Sequence, residues 1–136
     1  MTDEGGLSRG QLALSISNAV VHALASTTGR GPTQAKTTLG ENGVFVVLQD
    51  TLTRGERNLV EAGESGAVLD LRRLWQSVMR ESCSQRVEEL TGRKVIGFMS
   101  DNHIDPDIAV EVFILEPVGA DPSVQAAIAV ADPVPE

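Results

Sequence analysis

The chain has 136 residues, with 11 basic against 19 acidic side chains and a formal charge of −8, enough length to bury the core of one domain but not of two. Its 41% hydrophobic and 22% charged residues are ordinary for a globular protein and exclude collagen-like, coiled-coil and wholly disordered chains. Several acids (Asp3, Glu4, Asp121, Asp132, Glu136) lie near the ends, so the body is closer to balance; an acidic whole with a nearly balanced body argues against duplex DNA, which requires a concentrated basic face, and no nucleic-acid partner is expected, although the balance leaves room for a local basic patch.

Ser8 followed three residues later by Gln11 fits a capping box, and Leu12, Ile16, Ala19 or Val20, and Ala23 or Leu24 recur at helical spacing, predicting a helix from about 9 to 27. Gly29, Gly31 and Pro32 end it. Gln34–Leu39 and Val44–Gln49 flank Gly40-Glu41-Asn42-Gly43 and read as a hairpin, the second strand being β-branched and apolar on both faces. Thr53 and Glu56 form a second capping box, opening a short helix from about 54 to 62. A long helix follows, about 67 to 91, with Val68, Leu71, Leu74, Trp75, Val78, Met79, Cys83, Val87 and Leu90 expected on its buried side. Arg72, Arg73, Arg80 and Arg86 are expected on its solvated side among nearby acids. Lys94–Ser100 reads as a third strand. Ile108–Leu115 alternates as a fourth, with Val110, Val112 and Ile114 one way and Ala109, Glu111, Phe113 and Leu115 the other.

The fold class that follows is α+β: a four-stranded, mainly antiparallel sheet with its helices packed on one face, in the order helix-strand-strand-helix-helix-strand-strand. The domain spans 8–116, between a disordered N-terminus (1–7) and a disordered, acidic, Pro/Ala-rich tail (117–136). Thr28-Gly29-Arg30 and Thr91-Gly92-Arg93 each follow a helix and precede two strands, a weak internal echo. A sheet covered on one side leaves the outward apolar residues of the second and fourth strands wet, forgoing roughly 1.5–3 kcal/mol for each large side chain. A second copy of the chain, packed across the bare face or sharing strand edges, is the expected cover, giving a homodimer or a higher oligomer.

One cysteine, Cys83, precludes an intramolecular disulfide, and the acidic opening MTDEGG is unlike a secretory leader, so the expected location is cytoplasmic. The apolar run Val44–Leu48 is far short of the about twenty residues that cross a bilayer. No direct membrane insertion is expected, and any membrane role would be peripheral.

Two polar stretches are the candidate binding sites. Ser100-Asp101-Asn102-His103-Ile104-Asp105-Pro106-Asp107 gathers carboxylates, an amide and an imidazole. It matches neither an EF-hand loop nor a zinc signature, and turn chemistry accounts for most of its residue types. Gly29-Arg30-Gly31-Pro32, continuing to Lys36, offers two cations at a glycine turn, where capping of the preceding helix is the simpler reading. Arg30, Lys36, Asp101, Asn102, His103, Asp105 and Asp107 are therefore the candidate ligand- or partner-binding residues. No motif links His22, His103 or Cys83 into a catalytic set, and no metal site, cofactor or enzymatic activity is expected. The least favoured reading, a metal- or His-dependent enzyme with His103 as base beside Asp101 or Asp105, requires a pocket bringing His103 toward Arg30 or Lys36.

The segments GRGPTQAKTTL, LTRGERNLVEAGE and VEELTGRKVIGFMSDNHIDPDIAVEVFILEP, in that order, resemble the MpsC-like family over about residues 10 to 117. These are bacterial domains of unknown function tied to a proposed sodium-translocating, membrane-potential-generating system. The resemblance implies a small soluble accessory protein of a membrane ion or inorganic-carbon uptake system, with a membrane transport protein as a further partner. It carries over no catalytic role to any residue. The reading is a non-enzymatic binding or regulatory module, the alternative being a structural subunit that self-assembles through its sheet edges or apolar face.

Overall fold

The computed structural model describes residues 6–118 and 129–135. Of the segments expected to be disordered, 1–5, 119–128 and 136 lie outside the described residues. The remainder of those segments carries no helix or strand and is exposed.

The elements are α1 (Arg9–Thr28), β1 (Gln34–Leu39), β2 (Gly43–Gln49), α2 (Arg54–Glu61), α3 (Ser65–Thr91), β3 (Val95–His103) and β4 (Ile108–Leu115). Both capping boxes form. The Ser8 hydroxyl accepts from the Gln11 amide while the Gln11 side chain accepts from the Ser8 amide, and Thr53 and Glu56 repeat the exchange at α2. These contacts satisfy amides that the first helical turn leaves unpaired.

The internal echo has a structural counterpart at the helix ends. Gly29 and Gly92 both adopt the left-handed conformation, at φ 83° and 68°, and their amides donate to Ala25 O and Glu88 O. The preceding threonine hydroxyl donates to the carbonyl four residues back, Leu24 O for Thr28 and Val87 O for Thr91. It then accepts the amide of the following arginine. The tripeptide Thr-Gly-Arg thus builds the same cap twice, because only glycine takes that φ without a Cβ penalty.

The sheet order is β1-β2-β4-β3 with all neighbours antiparallel, so exchanging β1β2 for β3β4 leaves the order unchanged. Ile16, Val20 and Leu24 of α1 and Met79, Cys83 and Val87 of α3 pack onto Val44, Val46 and Leu48 of β2 and Ala109, Phe113 and Leu115 of β4. Phe98 of β3 meets Phe113 with ring centroids 5.1 Å apart. Ser17, buried on α1, shares a 2.7 Å hydrogen bond with Thr37 of β1, which removes the cost of burying either hydroxyl unpaired.

Two expectations need correction. The third strand runs on to His103, so Asp101, Asn102 and His103 are strand residues rather than loop: each pairs with β4, up to His103 opposite Ile108. On α3 the buried row is Val68, Arg72, Gln76, Met79, Cys83 and Val87, at steps of three and four. Arg72 is buried and Leu71, Leu74 and Val78 are exposed, at 36%, 64% and 72%, because polar groups waiting beneath the helix receive Arg72 and Gln76.

Candidate functional site

The outer face of the sheet follows from register. Cross-strand rows that place Ala35, Leu48, Ala109 and Asn102 inward place their alternates outward. One outward row is therefore Thr38, Phe45, Val112 and Met99, the next Lys36, Val47, Val110 and Asp101, and the next Gln34, Gln49, Ile108 and His103. Ile114 continues the face beyond Val112. Phe45, Val47 and Met99 are 41%, 39% and 55% exposed, the β4 residues are half-buried, and no described helix covers them. The bare apolar face expected from the patterning of β2 and β4 is present. The Phe45 ring lies over Gly43, where an added Cβ would come within 2.8 Å of Cζ, so the glycine is what lets the ring lie flat against its own strand.

The inner face holds a polar cluster among α2, α3 and β3. Arg72, 2% exposed, donates through Nη1 to both Glu56 oxygens at 3.0 and 3.1 Å, through Nη2 to Thr51 Oγ1 at 2.7 Å and through Nε to Asn102 Oδ1 at 2.8 Å. Gln76 and Asn102 exchange amide hydrogen bonds at 3.0 Å in both directions. Glu56 closes the α2 capping box with the same carboxylate, so one side chain fixes the start of α2 and neutralises Arg72. An ion pair in which every guanidinium nitrogen and both carboxylate oxygens are hydrogen-bonded is the form in which burial of two charges is tolerated.

Beside this cluster on β4, Glu111 is 1% exposed and accepts from the Ser100 hydroxyl. Burial pushes its carboxyl up to about 8, opposed by the charge of Arg72, whose own charge is already shared with Glu56. At neutral pH Glu111 is therefore mainly protonated.

The seven candidate residues divide among different environments. Asp107 is structural: its carboxylate accepts the Thr51 amide at 3.0 Å, the Thr51 hydroxyl at 3.1 Å and the Leu52 amide at 3.0 Å, with Arg57 at 3.5 Å. Asn102 belongs to the buried cluster. Lys36, Asp101 and His103 stand on the outer sheet face, His103 donating from Nδ1 to the Pro106 carbonyl at 2.7 Å. Asp105 is exposed in the β3–β4 turn, and Arg30 is half-buried at the end of α1. Within one protomer β2 and β4 separate Lys36 from His103. The cavity beside His103 is lined by Asp101, Asn102, Ile108 and Val110, with neither Arg30 nor Lys36. Both polar stretches nonetheless reach the same end of the sheet: Thr33 N donates to Gln49 O and Asp50 N donates to Asp107 O.

Sequence reasoning missed Arg72, Glu56, Gln76 and Glu111. The available signal was Glu111, which alternates with Ala109, Phe113 and Leu115 and so had to face the helices, where it needs polar company. A groove between α1 and α3 is lined by His22, Ser26, Val78, Ser82, Cys83 and Arg86 among others. Burial, and then the nearby Glu111, push the Cys83 thiol up to about 11, which leaves almost no thiolate at neutral pH and makes it a poor nucleophile. Among the described residues no group of three or more His, Cys, Asp or Glu side chains is arranged to hold a metal ion.

A family model described as Na+-translocating membrane potential-generating system (MpsC) matches residues 8–117. Among curated proteins, the uncharacterized protein YrhF of Bacillus subtilis (strain 168) is 29% identical over 90 residues, covering 65% of this chain and 74% of that protein. No solved structure matches the chain.

Proposed function

The chain belongs to the MpsC family, and from that premise we propose that it is a non-enzymatic accessory module of a membrane ion-transport system, acting as a homodimer joined through the outer face of its sheet. The observation that carries the dimer is the continuous apolar surface of Phe45, Val47, Val110, Val112, Ile114 and Met99 on a face that no described helix covers. Four strands at about 4.8 Å spacing and about seven residues at 3.3 Å rise make a plane of roughly 19 by 23 Å. Its corrugated surface amounts to on the order of 1,000–1,300 Å² buried over two copies, at the lower edge of stable interfaces. The accessory role is supported by the family's description and by the helices themselves, since among the described residues none is long and apolar enough to cross a membrane. An ion path would then belong to a partner, reached through the loops or the exposed Leu71, Leu74 and Val78 stripe of α3.

Native mass spectrometry over a concentration series, paired with sedimentation equilibrium, tests this reading. A fixed dimer that Val47→Lys converts to a folded monomer is the expected result. A wild-type monomer at tens of micromolar would overturn it. Open-ended growth would instead support the alternative of a self-assembling structural subunit, which the unpaired edges of β1 and β3 favour.

A further inference from the structure

The outer face of the sheet carries two formal charges, and both stand in the same cross-strand row. Lys36 on edge strand β1 and Asp101 on edge strand β3 flank Val47 and Val110, and both are exposed. They lie about 14 Å apart, three strand spacings, too far to pair within one copy. The residues between them are apolar, so each charge borders a surface that has every reason to leave water.

In the aligned packing of two sheets face to face, a two-fold axis between them runs either along the strands or across them. An axis across the strands sets β1 on β1 and β3 on β3, bringing lysine edge against lysine edge and aspartate edge against aspartate edge. An axis along the strands keeps each row at its own height and exchanges the edges, so that β1 of one copy lies over β3 of the other. Like charges facing each other oppose association, and opposite charges favour it and fix its register.

We propose that the dimer uses the axis along the strands, with Lys36 of each copy paired to the partner's Asp101, two such pairs bracketing a centre in which Val47 meets the partner's Val110 and Phe45 the partner's Val112. This rests on the homodimer reading above and adds its geometry. The same operation sets Gln34 against the partner's His103. It thereby brings the Gly29–Thr33 loop of one copy beside the partner's 104–107 turn, and the two polar stretches that β2 and β4 hold apart in a protomer become neighbours, twice per dimer. Residues 129–135 do not compete for this surface, since they are exposed, Val130 at 85% and Val134 at 86%.

The test is a charge exchange read by sedimentation equilibrium on the full-length chain. Lys36→Glu and Asp101→Lys are each expected to weaken the dimer about tenfold or more, because each variant introduces two like-charge pairs. The double variant Lys36→Glu/Asp101→Lys is expected to return to within about threefold of wild type. Circular dichroism melting checks that all variants remain folded. A wild-type dimer whose affinity is indifferent to the single changes, or is not restored by the double change, would overturn this geometry while leaving the dimer in place. A wild-type monomer would overturn both.

Discussion

Glu111→Gln isolates the cost of holding a carboxyl in the helix-facing layer of the sheet. The groups that face Glu111 are Arg72 from α3, already paired with Glu56 of α2, Gln76 and Cys83, also on α3, and Ser100 from β3. With the folded-state value near 8 against an ordinary 4.5, the folded chain keeps a proton that the unfolded chain has released throughout that window. Stability therefore falls as pH rises from 4.5 to about 8, by about 1.4 kcal/mol per pH unit and by about 5 kcal/mol at most across the whole window. Glutamine resembles the neutral acid and does not titrate, so the variant and the wild type should coincide near pH 4 and diverge steadily above it, the variant being the more stable. At about 4 °C per kcal/mol for a domain of this size, the melting temperatures should separate by roughly 5 °C per pH unit. Melting by circular dichroism from pH 4 to 9, with urea midpoints at pH 5 and 8, reads the difference directly, since titrations common to both chains cancel. Curves that stay parallel over that range would refute the assignment of Glu111 as a buried, protonated acid.

Other substitutions probe the same framework. Arg72→Met leaves Glu56 buried without its partner and should cost about 3–5 kcal/mol, a loss of some 12–20 °C in melting temperature, and a change under 1 kcal/mol would show that the pair is not closed in solution. Asp107→Ala strips acceptors from the Thr51 and Leu52 amides and should cost about 2–3 kcal/mol in urea unfolding, with Asp107→Asn intermediate because its single amide oxygen still serves one donor. Thr53→Ala should cost about 1 kcal/mol by the loss of the α2 cap, measured as a shift in urea midpoint with an unchanged slope.

The order and type of all the elements were readable from the residues because local rules agreed: two capping boxes, two glycine caps after helices, and an Asn-Gly turn between β-branched runs. The one-sided sheet was readable from the element order, since two helix-strand-strand units pair into one sheet with the helices on one face, which leaves Val110, Val112 and Ile114 facing away from Ala109, Phe113 and Leu115 without cover. The interior polar cluster was not, because a helix face is ordinarily inferred from hydrophobicity. On α3 an arginine and a glutamine occupy the inward row between Val68 and Met79, while leucines at 71 and 74 face solvent. Burial of Arg72 depends on Glu56, Thr51 and Asn102, three residues from three other segments, and no spacing within α3 encodes that meeting. For the same reason the SDNHIDPD stretch resisted interpretation as a unit: strand pairing turns Asp101 and His103 outward and Asn102 inward, and Asp107 turns back to bind the approach to α2.

Arg93 joins places far apart along the chain. Its Nη1 donates to the Glu41 carbonyl at 2.6 Å, and its Nη2 donates to Asn42 Oδ1 at 2.7 Å and to the Glu116 carbonyl at 2.6 Å, tying the β1–β2 hairpin to the point where β4 ends. A pull applied to the polypeptide beyond Glu116 would thus meet a rivet before it reached the ladder of a central strand, and the load would spread into the hairpin and the foot of α3 instead of unzipping β4. Anything tethered through that segment would be gripped by the whole domain.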